Sequence, residues 1–254
     1  MELKKIYNQL SRDMDIKNLM SDIPDILTAC DEKEGNTLLH WAVLDESFVL
    51  AEKLIELGAY PFIYNEDFVT ACSLIVRTEQ EKLLKMILKR YPNSLSEFPQ
   101  SELLVSASIA GQHGQLKLML EAGFNVKNDY RGMSIIEWAL QSEQIDVIKL
   151  LHQYDAPIDE ANDCGYTPLY SASADGLIEI VDYLITVGAN VNQQSNDGGT
   201  PLMMAVAWNQ PKIVEILIQN NADISIKDIE NKTALDFAEE SQHQEIIEML
   251  KNVL

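Results

Sequence analysis

Apolar positions along the chain recur in short paired blocks. From Gly165 to Asn192 the chain reads GYTPLYSASADGLIEIVDYLITVGANVN. A first block lies around Leu169 and Ala172. In a second block Ile178, Val181, Leu184 and Ile185 fall at helical spacing, as do Ile213, Ile216 and Leu217 one unit later. The pattern predicts two short antiparallel helices per unit, each with one apolar side. Between units, stretches such as Gln193 to Gly199 are polar and contain Asn, Asp and Gly, the residues of turns.

The arrangement returns with a period near 33 residues, which predicts a repeat array. Counted from a Thr or its equivalent, units are anchored at Thr37, Thr70, Glu102, Ser134, Thr167, Thr200 and Thr233, spaced 33, 32, 32, 33, 33 and 33. Ala42, Ala107, Ala139, Ala172, Ala205 and Ala238 lie five residues past their anchors, and Gly58, Gly123 and Gly188 lie twenty-one past theirs. The anchor hydroxyl predicts an N-cap, and Pro168 and Pro201 suit the first helical position. Alanine keeps the first helix thin, so neighbouring units approach closely, and the late glycine allows a left-handed helix end.

The pattern G-x-T-P-L-x-x-A, followed by L-L/I-x-x-G-A-x-V-N, resembles the ankyrin repeat over about residues 31–254. The resemblance implies an all-α repeat solenoid, an ankyrin-like stack of helix-turn-helix units with hairpin-like tips. It also implies a non-enzymatic scaffold that binds a protein partner on its concave face. Residues 1–30 read as an N-terminal cap or degenerate repeat, with Ile6, Leu10, Ile16 and Leu19 on an apolar side. The last unit stops in its second helix, where Gln242, His243, Gln244, Glu245, Glu248 and Lys251 give a polar face suited to a terminal cap. Two capped ends argue for a monomer.

Three units depart from the pattern. The unit at Thr70 has Ala71, Cys72 and Ser73 in place of Pro-Leu-His, and Tyr91 at the late glycine. The unit at Glu102 lacks Thr and Pro and follows Pro92 and Pro99. The unit at Ser134 has Asp155 at the late glycine. Irregular loops or a change of curvature are expected over residues 91–102, with a break into two sub-arrays there as the alternative.

Charge narrows the range of partners. Of 254 residues, 19 are Lys or Arg and 40 are Asp or Glu, a formal net charge of -21. Residues 1–100 carry 11 basic and 17 acidic side chains, a net of -6. Residues 101–254 carry 8 and 23, a net of -15. No basic run reaches four residues, so neither nucleic acid nor an anionic membrane is an expected partner. The three cysteines, Cys30, Cys72 and Cys164, lack C-x-x-C spacing and read as small apolar fillers in a reducing compartment. No secretory signal or apolar membrane span is visible, so a cytoplasmic location is expected, with export into a host cell without a signal peptide as the alternative.

No constellation in the chain carries catalytic chemistry. His40, three past its anchor, is placed to bond backbone in the adjoining turn; His113, His152 and His243 fall on or beside second helices and read as solvated. No H-x-x-x-H, H-E-x-x-H, G-x-S-x-G or phosphate-loop pattern occurs. The pairs Asp159-Glu160 and Glu239-Glu240 read as exposed charges, and Asp197-Gly198-Gly199 as a hairpin tip. No metal or cofactor is expected.

A binding surface remains. The resemblance places exposed variable positions four, three and one residues before each anchor and seven and eight after it. These are Tyr130, Arg131, Met133, Gln141 and Ser142; Asp163, Cys164, Tyr166, Ala174 and Asp175; and Asn196, Asp197, Gly199, Ala207 and Trp208. Trp208 stands where neighbouring units have Ser142 and Asp175, so a core role does not require it. Trp41 and Trp138, four past their anchors, read as half-buried packing residues. Tyr130, Met133 and Tyr166 are expected to form an apolar strip along the tips. Asp163, Asp175 and Asp197 around it favour a basic partner segment. The Asn, Gln, Ile and Lys content fits a small bacterial protein. The alternatives are a host-directed effector, an inhibitor or immunity protein for a basic protein, and a regulatory subunit of an enzyme.

Overall fold

The computed structural model describes residues 3–13, 25–92, 100–127 and 130–253. Among them are fifteen helices and no strand; isolated bridges join Tyr64 to Thr70 and Tyr130 to Met133 at two of the tips. The chain divides into two compact units, residues 1–125 and 126–254.

The first unit contains α1 (Leu3–Asp13), α2 (Leu38–Leu44), α3 (Phe48–Leu57), α4 (Ala71–Ile75), α5 (Glu81–Arg90), α6 (Gln100–Ile109) and α7 (His113–Glu121). Here α2, α4 and α6 form a layer of first helices, and α3, α5 and α7 a layer of second helices. The second unit repeats the scheme. Its first helices are α8 (Ile135–Leu140), α10 (Pro168–Asp175), α12 (Pro201–Ala207) and α14 (Ala234–Glu240). Its second helices are α9 (Ile145–Gln153), α11 (Ile178–Thr186), α13 (Pro211–Gln219) and α15 (Gln244–Lys251).

Six of the seven anchors do what their chemistry predicts. Thr37, Thr70, Ser134, Thr167, Thr200 and Thr233 have extended backbones, and each side-chain oxygen accepts the N–H three residues on. One otherwise orphaned donor per helix is thereby satisfied. Glu102 differs, because α6 already begins at Gln100. It lies inside the first turn, where a carboxylate suits the positive helix end, and its Oε2 accepts from Tyr64 Oη at 2.9 Å.

The small residues fit the stacking. Ala42, Ala107, Ala139, Ala172, Ala205 and Ala238 are all fully buried. In the second helices Val181, Leu184, Ile213 and Leu217 are buried, as expected. Ile178 is exposed, because it opens α11 on the outer turn, and Ile180 is buried instead.

Left-handed helix ends occur at Gly58, Gly123 and Gly188; Asp155 and Asn221 hold the same register at φ 65° each. Tyr91 does not turn left-handed, its φ being -121°. Its hydroxyl donates to the Ala59 carbonyl at 2.9 Å, and its ring meets Tyr60 and Phe62 edge-on. An aromatic cluster closes that unit in place of a glycine.

Of the expected irregular stretch over 91–102, residues 93–99 lie outside the described residues, as do Ile16 and Leu19. In α1, Leu3, Tyr7 and Leu10 are buried, and Tyr7 Oη donates to the Trp41 carbonyl at 3.3 Å. Trp41 is consequently buried rather than half-buried. The filler reading holds for Cys72 alone, since Cys30 and Cys164 are exposed.

Candidate functional site

In the second unit the tips are tied to one another by backbone. Asn196 N–H donates to the Cys164 carbonyl at 3.0 Å, and its side-chain amide donates to the Asp163 carbonyl at 2.8 Å. One tip further on, Ile229 N–H donates to the Asp197 carbonyl at 3.0 Å. Gly132 presses on the next tip so closely that a Cβ there would lie 2.7 Å from Asp163 Oδ2. The side chains on these tips are thereby held in a fixed row, a preorganised surface.

Trp208 is 65% exposed at the C-terminal end of α12. Asp175 ends α10 one repeat earlier; it is exposed, and the adjoining Gly176 abuts the Gln210 side chain. Asp163, Asp197 and Arg131 are exposed as well. Tyr130, Met133 and Tyr166 are half-buried. The rings of Tyr130 and Tyr166 each pack on an aromatic residue of the first helix that follows them. Tyr130 packs on Trp138 at 6.0 Å between centroids and accepts its indole N–H at 3.0 Å, with the Arg131 guanidinium 5.2 Å above the Tyr130 ring. Tyr166 stacks on Tyr170 at 4.4 Å and 6°. The tyrosines are thus only partly exposed, whereas Trp208 is a large apolar side chain mostly in solvent.

Gly199 is a correction. It is buried, and a Cβ there would meet Ser195 Oγ at 3.1 Å and Tyr170 Oη at 3.3 Å. Tyr170 stands three past its anchor, where His40 stands in the first repeat. The longer side chain takes the space that a side chain at 199 would need. Burial, followed by the nearby Asp197 charge, raises the Tyr170 hydroxyl pKa. Ser142, Ala174 and Ala207 are half-buried, and Gln141, Cys164 and Asn196 are exposed. Sequence reasoning missed Ile229, four before Thr233 and 72% exposed. The register alone could have found it, because it shares a row with Tyr130, Asp163 and Asn196.

Charge is one-sided along the chain here, with Arg131 standing on the neighbouring tip. Between Lys149 and Lys212 the chain has eight Asp or Glu and no Lys or Arg. By contrast, an open cleft of about 460 Å³ in the first unit has Trp41 in its lining, but Lys4, Lys5 and Lys33 there are matched by Asp31, Glu32 and Glu34. Two further histidines are engaged instead of solvated. His152 Nδ1 lies 2.8 Å from Tyr183 Oη, and His243 Nδ1 lies 2.9 Å from the Val206 carbonyl; His113 is exposed. Among the described residues no group of three or more His, Cys, Asp and Glu is placed to hold a metal, and no helix is long and apolar enough to cross a membrane.

A family model described as ankyrin repeats (3 copies) matches residues 154–228 and 195–253. The Nuclear factor NF-kappa-B p105 subunit of Gallus gallus is 24% identical over 180 residues, covering 66% of this chain and 18% of that protein. Protein glp-1 of Caenorhabditis elegans is 28% identical over 171 residues, covering 61% of this chain and 13% of that protein. Protein phosphatase 1 regulatory subunit 27 of Homo sapiens is 36% identical over 56 residues, 22% of this chain and 36% of that one. The chain thus spans less than a fifth of the length of the first two relatives.

Proposed function

We propose that this chain, which matches the ankyrin-repeat model over residues 154–228 and 195–253, is a protein-binding scaffold, and that the tips and first helices of its second unit bind a basic segment of the partner. The observation that carries this reading is Trp208. It is a large apolar side chain left mostly in solvent, at a position where the preceding repeats carry Ser142 and Asp175. An exposed tryptophan is a frequent anchor of binding energy. Asp163, Asp175 and Asp197 lie in a stretch of chain without Lys or Arg, which favours a partner rich in Lys or Arg. Arg131 and Ile229 mark two further positions of the tip row.

One variant tests the surface cleanly. Trp208→Ala should weaken partner capture by roughly tenfold or more and leave the thermal midpoint unchanged, since little is packed against that ring. Tyr166→Ala is less clean, because it also removes the stack on Tyr170. Raised salt should slow association by screening the carboxylates. Unchanged affinity with Trp208→Ala would move the site elsewhere, and salt-independent association would remove the basic segment. A regulatory subunit is a second reading, favoured by the similarity to the phosphatase regulatory subunit over 56 residues. It is tested by measuring phosphatase activity with and without this chain.

A further inference from the structure

The residue two before six of the seven anchors closes the tip with a left-handed backbone, the exception being Gln100, which begins α6 ahead of Glu102. Gly35, Gly132, Gly165 and Gly198 occupy that position at φ 69°, 73°, 80° and 80°, and Asn231 occupies it at φ 63°. These are the residue types that tolerate such a conformation. In the repeat anchored at Thr70 the position is held by Phe68, at φ 57° and 81% exposed. A bulky side chain in a left-handed turn is unfavourable, and here almost none of it is buried in return. Strain without local compensation is characteristic of positions kept for function.

The tip around Phe68 is rigid. Asn65 Oδ1 accepts the N–H of Asp67 at 3.1 Å and of Val69 at 2.9 Å, while Asn65 N–H donates to the Val69 carbonyl at 2.9 Å. Tyr64, also exposed, is fixed by its hydroxyl to Glu102. Phe68 is therefore presented with little freedom left to lose on binding. Its surroundings are acidic. Glu66 and Asp67 precede it, both exposed and, among the described residues, in no ion pair. The Glu66 N–H donates to the Glu34 carbonyl at 3.0 Å, which places a third acidic residue beside the tip. Lys33 on that neighbouring tip sits among Asp31, Glu32 and Glu34, so it does not reverse the sign.

We propose that the tip from Tyr64 to Phe68 is a second docking site, in the first unit, for a protein that offers an apolar pocket with a cationic rim. Phe68 enters the pocket, and Glu34, Glu66 and Asp67 face the rim. This site is independent of the surface around Trp208.

The test compares the chain with its Phe68→Asn variant, which restores a residue type suited to the turn. Both are used as baits, a protein retained only by the unaltered chain is identified and purified, and its Kd is measured with each. Relief of the backbone should raise Tm by about 2–4 °C. Loss of the aromatic should weaken Kd by about tenfold or more, and raised salt should weaken binding to the unaltered chain. A lower Tm for Phe68→Asn would show that the side chain serves the fold and would overturn the proposal. So would the absence of any protein that distinguishes the two baits, or an equal Kd for both. Salt-independent binding would overturn the cationic rim.

Discussion

His40 shows how far one residue can be read from sequence. Its Nδ1 lies 3.1 Å from the Thr37 N–H, and its Nε2 lies 3.1 Å from the Val69 carbonyl. Both bonds are made only by the neutral ring with its proton on Nε2. Burial, the largest influence, lowers its pKa from the ordinary 6.5. The unfolded chain therefore takes up the proton first as pH falls, and the contribution of His40 to stability is complete above 6.5 and lost below it, through the lower folded value. Urea midpoints at pH 7.5 and pH 5.5 should show the loss, and His40→Asn should show a smaller difference between the two. An equal difference would place the pH dependence on other groups. The role of His40 was legible because the repeat register gave it a position. That of Gly199 was not: the register marked it as exposed, and only the contact with Tyr170, a long side chain in the place of His40, explains why the position is filled and bare.

At the scale of the helix, the anchors determine where each first helix begins. Thr167 and Thr200 each precede a proline at the first helical position, and each side chain accepts the N–H three residues on. Thr167→Ala or Thr200→Ala should cost about 1 kcal/mol of stability, read as a lower denaturant midpoint, with Ser in place of Thr nearly neutral. A change to Glu102 should not behave this way, because that residue lies within the first turn of α6 and caps nothing. The helices were legible because the period-33 register and the apolar spacing agree. The start of α6 was not, since Glu102 was assigned by spacing alone and the helix begins two residues earlier. Ile178 was misread for a related reason: a spacing rule identifies a face only after the first residue of the helix is known.

At the scale of the molecule, a repeat array derives its stability from each repeat and from the contacts between neighbours. The two compact units differ in the quality of those parts. In the first, α4 is only five residues long, Phe68 strains its tip, and α6 begins away from its anchor. In the second, every first helix has a Thr or Ser cap with its bond made, and two also carry proline at the start. The first unit should therefore open at lower denaturant than the second, outside a single all-or-none transition. Native-state hydrogen exchange across a urea series checks this: amides of α4 and α6 should merge into one opening isotherm, and those of α10 and α12 into another at higher urea. If all four helices share one isotherm, contacts between repeats outweigh the differences among them, and the chain unfolds as one cooperative block. In that case Phe68→Asn would stabilise α10 and α12 as much as α4, which the same exchange experiment on the variant would reveal.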